Sequence, residues 1–87
     1  MVVTADSKIA SVSPADGYKV VLSYETGEKR LFDVSPYIEG DWFGELADQG
    51  YFRQVKVESG FRDFIVWPHG QDIAPHDLAE RGIPLKG

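Results

Sequence analysis

Four side chains with the means to do chemistry fall within nine positions near the end of the chain: His69, Asp72, His76 and Asp77. Imidazole with carboxylate is the donor set of zinc and related metals. Their spacing matches no standard zinc motif, and geometry rather than residue type decides such sites. No metal is the main expectation, and the four stand as an alternative small-ligand or metal-binding site in the turn over residues 69–77. A plainer account competes with that one. Asp72 would accept backbone N–H bonds in the turn after Gly70, as aspartates do in tight turns, and His69 would simply be exposed.

A second group is Asp41, Trp42, Glu45 and Asp48. An exposed indole among carboxylates suits a basic, arginine-bearing partner, through the ring face and through charge. The surrounding stretch strengthens this reading. From Asp33 to Gly50 there are five acidic residues and no Lys or Arg, and those five equal the net charge of −5. Phosphate contacts dominate nucleic-acid affinity, so direct binding of DNA or RNA is not expected. A small basic protein is the natural complement, either a toxin or a DNA-binding partner.

Catalysis needs an activated nucleophile or a pair of carboxylates whose environments pull their pKa values apart. The serines sit in no elbow or helix-start motif, the carboxylates are scattered, and the nine glycines are dispersed as turn and cap residues instead of forming a phosphate loop. The expectation is a protein that is not an enzyme and carries no cofactor.

The elements that must position these groups are short. Eighty-seven residues, 43% apolar and 13% aromatic, suffice for one compact core, so residues 1–87 are expected to form a single domain with loosely ordered tails at about 1–7 and 83–87. The absence of cysteine excludes disulfides and cysteine-ligated zinc and fits a reducing compartment. No apolar run approaches the roughly 20 residues of a membrane span, and Met1–Asp6 is too short and acidic for a signal peptide, which together give a cytoplasmic expectation with no membrane contact. Domains this small gain stability by pairing, and a homodimer through an exposed strand edge is compatible with the chain.

Lys8–Val12 reads as a strand ending at Pro14, and Pro14–Gly17 as a turn. Tyr18, Val20, Leu22 and Tyr24 alternate with polar or smaller residues, the mark of a half-buried strand. A three-residue loop with Gly27 in the left-handed region sets Val20 opposite Phe32 and keeps apolar groups together, where a two-residue loop would mix them. Ser35-Pro36 starts a single helical turn. Asp41 as N-cap and Gly50 as stop bracket a nine-residue helix weakened by Gly44, held by Phe43 and Leu46 on the sheet. Arg53–Glu58 and Phe61–Trp67 then form a hairpin through a two-residue turn at Ser59-Gly60, pairing Lys56 with Asp63. The second of these strands is apolar on both faces and is expected to be covered on both. Trp67 belongs in the core, Pro68 interrupts the ladder, and a last helix starts near Pro75 with Ile73 and Leu78 as a staple. The expected fold class is α+β: a small mixed sheet of about five strands, in the order β-β-β-α-β-β-α, with one short helix packed on it and a short C-terminal helix.

Three stretches of this sequence resemble a family of short, mostly bacterial proteins called domain of unknown function 2442. They are the hairpin Val21–Asp33, the middle with Phe43, Leu46, Phe52 and Val55-Lys56-Val57, and the signature Trp67-Pro68-His69-Gly70-Gln71-Asp72-Ile73-Ala74-Pro75 followed by Leu78. The similarity runs from about Ile9 to Leu78. Ala74 stands where such proteins often carry Ser or Thr, and Ala79 where an aromatic often follows the leucine. The resemblance implies a small α+β domain, joined in some relatives to a helix-turn-helix. It also implies a toxin–antitoxin setting, since stand-alone relatives are often encoded beside another short protein. It supplies no catalytic residues. The reading that follows is a non-catalytic interaction or regulatory module, antitoxin-like, using Asp41, Trp42, Glu45 and Asp48.

Overall fold

The computed structural model of the chain describes residues 3–85. Alternation in the first half of the sequence builds one antiparallel sheet from β1 (Ile9–Ala15), β2 (Lys19–Tyr24), β3 (Lys29–Asp33) and β7 (Ile83–Leu85), in the order β1-β2-β3-β7. On β2 every second residue is buried, Val20, Leu22 and Tyr24, because one pleat face meets the core. Val20 pairs with Phe32, and Gly27 takes φ +96°, so the β2–β3 loop has three residues as its sequence indicates. Only a residue without Cβ occupies that backbone region at no cost.

A second antiparallel sheet, β4-β5-β6, is formed by β4 (Lys56–Glu58), β5 (Phe64–Val66) and β6 (Asp72–Ile73), and β1 lies against β4. The fold is α+β. Among the described residues the strands number seven, near the expected count, and lie in two antiparallel sheets where one mixed sheet was expected. The core fills the space enclosed by the elements, with Trp67, Phe32, Leu22, Leu46, Ile65, Ile73 and Leu78 as its largest fully buried apolar side chains.

Three further expectations are corrected. β1 runs through Pro14, which pairs with Val20; β1 is an edge strand of its sheet, where a missing N–H does no harm. The hairpin β4–β5 pairs Lys56 with Val66, not with Asp63, through a longer loop. The slip is three residues, an odd number, so it exchanges the faces of β5. It turns Ile65 and Trp67 inward and frees Asp63 to accept the Ile9 amide at 2.9 Å from a buried position. The outer face of β5, with Phe64 and Val66, is half-buried and not covered. At the ends, residues 1–2 and 86–87 of the expected loose tails lie outside the described residues. Thr4 to Ser7 form a hydrogen-bonded turn, and Ile83–Leu85 form β7 on β3.

The helix expected from Asp41 to Gly50 is three pieces: α1 (Gly40–Phe43), a 3-10 turn (Gly44–Ala47) and α2 (Gln49–Phe52). Asp48 breaks it. Its backbone is extended and its carboxylate accepts the Tyr51 amide at 3.1 Å, so it caps a new helix instead of continuing the old one. Gly50 therefore sits inside α2 and Asp41 in the first turn of α1. The break sends Leu46 and Phe52 into the core. Tyr18 fastens this segment to the first sheet. Its hydroxyl donates to the Ala47 carbonyl at 2.6 Å, and its ring stands edge-on to Phe52, centroids 5.5 Å apart. The last helix, α3 (Pro75–Arg81), begins where the staple indicates, with Ile73 and Leu78 both buried. Arg30 of β3 donates to the Ala79 carbonyl near its end, satisfying an acceptor the helix leaves open.

Candidate functional site

The chain leaves β5 through a tight turn, Trp67-Pro68-His69-Gly70. The Gly70 amide donates to the Trp67 carbonyl at 2.9 Å, and the Trp67 amide to the Gln71 carbonyl at 2.8 Å. Proline suits the second position of such a turn, and Gly70 takes φ +103°. The Trp42 ring faces Gly70, and a Cβ added there would meet it in ordinary contact at 3.6 Å. Trp67 itself is 1% exposed and donates its indole N–H to the Phe52 carbonyl at 2.9 Å. It is a core residue, as its strand-end position indicates.

Gln71 organises the site. It is fully buried, and both ends of its amide are bonded. Its Oε1 accepts the Tyr51 hydroxyl at 2.6 Å, while its Nε2 donates to the Trp42 carbonyl at 3.0 Å and to Glu45 Oε1 at 2.8 Å. The Tyr51 oxygen in turn accepts the His69 amide at 2.9 Å. Glu45 Oε2 lies 2.7 Å from His69 Nδ1. A carboxylate only accepts, so that nitrogen carries the proton, and the imidazole stacks on Tyr51 with centroids 5.1 Å apart. The bond from His69, then the one from Gln71, hold the Glu45 carboxyl below the ordinary glutamate range, against a small opposing effect of desolvation.

The acidic segment and the turn, which in the sequence look like rival sites, are thus one cluster. Of the first set, Asp41 is exposed on the first turn of α1 and Trp42 is 53% exposed beside it. Glu45 and Asp48 have internal duties, one clamping His69 and Gln71 and the other capping α2. Of the second set, only His69 joins the cluster. Asp72 is exposed on β6 opposite Val66, His76 lies 3.2 Å from Glu80 on α3, and Asp77 accepts the Tyr37 hydroxyl at 3.1 Å. The turn around Asp72 is closed by the Tyr51 hydroxyl and the main chain, which replaces the bonds expected of the Asp72 carboxylate. Among the described residues no three His, Cys, Asp or Glu side chains gather as metal ligands.

A model of the family described as "Protein of unknown function (DUF2442)" matches residues 9–84, most of the chain. The chain belongs to the DUF2442 family. No curated protein and no solved structure matches it. In this DUF2442 chain the signature stretch from Trp67 to Pro75 has a physical account: a core anchor, a glycine turn under Trp42, a buried amide and a helix start.

Sequence reasoning missed Gln71 and Tyr51. Gln71 stands between Gly70 and Asp72 in a polar run and looks solvated. The available signal was parity: in an extended segment Gln71 shares a face with Ile73, and Ile73 had to be buried.

Proposed function

We propose that this chain is a non-catalytic interaction or regulatory module of the cytoplasm, antitoxin-like, that holds a small basic protein on the segment Asp41–Asp48. The observation that carries the reading is Trp42. Its indole is half exposed, its main-chain carbonyl accepts the Gln71 amide, and its ring faces Gly70. A large, rigid aromatic on a bonded main chain loses little freedom on binding, which suits an anchor residue. Around it, Glu39 and Asp41 are exposed and the segment carries no cation, so an arginine or lysine approaching the ring meets favourable charge. Glu45 contributes field but not a free carboxylate, since both its oxygens already accept bonds.

The test is capture of the partner by the tagged chain from its source cells, comparing wild type with Trp42→Ala plus Asp41→Lys. These two positions leave the Gln71 clamp and the α2 cap intact. A basic protein retained by the wild type and lost by the folded variant, with binding that weakens as salt rises, supports the reading. Retention by the folded variant, or a partner without net positive charge, overturns it.

A further inference from the structure

The outer face of the β4-β5-β6 sheet is an apolar surface that the described residues leave uncovered. Phe64 and Val66 of β5 point away from the core residue Ile65 between them and are only half-buried. With Lys56 and Glu58 of β4 and Asp72 of β6 they line an open cleft of about 360 Å³. Phe64 also borders a second hollow, about 270 Å³, which it shares with Phe61, Arg62 and Pro75. Phe61, at the tip of the β4–β5 loop, is 93% exposed, against the free energy of an aromatic in water.

The register specifies what fits this face. Lys56, Val66 and Asp72 form one row across the sheet, and Glu58 and Phe64 lie in the next. A two-fold axis that lays the face on a copy of itself must run in the plane between them. With the axis along the strands, Lys56 of each copy meets Asp72 of the other. With the axis across the strands, Lys56 meets Glu58. In either case Phe64 and Val66 close on the same pair of residues, and Lys56, which lies 4.0 Å from Glu58 of its own chain, also faces a carboxylate of the other copy, two such contacts in all, while one carboxylate of each copy faces no cation. A wholly acidic partner would oppose two of the three charges and a wholly basic one would oppose Lys56, whereas a second copy sets Lys56 against a carboxylate and no like charges directly opposite. We propose that a second copy of this chain docks here, face to face, through Phe64, Val66 and the charges around them. This is a different surface from the strand edge, and it shares no residue with the Trp42 segment, so the two readings stand or fall separately. A three-strand face is at the small end of specific interfaces, below about 1,200 Å² in total, the range of weak and transient association, which calls for concentrations up to the millimolar.

Sedimentation equilibrium of the full chain from about 10 µM to about 1 mM covers that range. The wild type is expected to rise toward dimer mass. Lys56→Glu, at an exposed strand position, is expected to weaken association about tenfold or more, because two like-charge contacts replace two attractive ones. Adding Asp72→Lys or Glu58→Lys to that variant restores it, and whichever does so names the axis. Phe61→Ser, which removes a side chain already in solvent, keeps the fold and tests the rim of the same face. Circular dichroism reports that each variant is folded. A wild type that stays monomeric at about 1 mM overturns the proposal. So does a folded Lys56→Glu variant that associates like wild type, or one that neither second change restores.

Discussion

The side-chain amide of Gln71 reaches across 26 positions of sequence to Glu45 and donates to the main-chain carbonyl of Trp42 at 3.0 Å. That one buried side chain ties the turn behind β5 to the main chain of Trp42 and to Glu45 in the acidic segment. The consequence for stability is that Gln71 carries more bonds than any neighbour can replace.

Replacing Gln71 by alanine leaves the Tyr51 hydroxyl and the Trp42 carbonyl without their partner in a part-buried place, while Glu45 keeps its bond to His69. Each orphaned group costs about 1–3 kcal/mol where water cannot reach it, and the expected loss is about 2–4 kcal/mol. For a domain of this size that lowers Tm by roughly 10 °C or more. Thermal unfolding followed by circular dichroism measures it, and a shift of only a degree or two would show that the clamp is not what holds the turn.

The Glu45–His69 pair has a definite pH signature. Bonding holds the folded-state pKa of Glu45 below its ordinary value of 4.5, so the folded state binds that proton less well than the unfolded chain. The contribution is therefore present above 4.5 and is lost as pH falls through the folded value. The stability gap between wild type and Glu45→Gln should be flat at neutral pH and close in acid. His69→Ala removes the largest cause, so the Glu45 titration midpoint, followed by carbon NMR of its carboxyl, should move up toward 4.5.

Asp63 is 5% exposed; its Oδ2 accepts the Ile9 amide at 2.9 Å, while its buried Oδ1 has no hydrogen-bond partner and Lys8 Nζ lies 3.8 Å away. Asparagine keeps the acceptor for Ile9, whereas alanine orphans that amide. Asp63→Ala is expected to cost about 1–3 kcal/mol more than Asp63→Asn in chemical denaturation. Equal losses would mean that charge at this position, not the bond to β1, is what matters.

Gly70 combines φ +103° with the Trp42 ring above it. Gly70→Ala should cost about 1–2 kcal/mol from the left-handed backbone alone. It should also place a methyl in contact with the Trp42 ring and not with the buried Trp67, which tryptophan side-chain NMR resolves as one moved indole resonance and one unmoved.

Several of these relationships were legible in the sequence. The alternation Val20-Leu22-Tyr24 against Phe32, with Gly27 at the bend, fixes the β2–β3 register, because any slip would expose the core face. Pro75 behind Ile73 announces α3, and Trp67 at a strand end announces core. The β4–β5 register was not legible. Pairing Lys56 with Asp63 satisfies local charge, and nothing nearby in the chain reveals that Asp63 is needed 54 positions away at Ile9.

Local preference, then, is what the sequence by itself determined: which residues alternate, where turns fall, the α+β class and the acidic surplus around Trp42. The tertiary structure alone decided what depends on groups distant in sequence. It split the expected helix at Asp48, placed Ile83–Leu85 on β3, and buried Gln71 where its two amide ends meet Tyr51, Trp42 and Glu45. The physical reason is common to all three. A polar side chain or a strand edge has several acceptable partners in water, and which one it takes is set only when the core closes and removes the water.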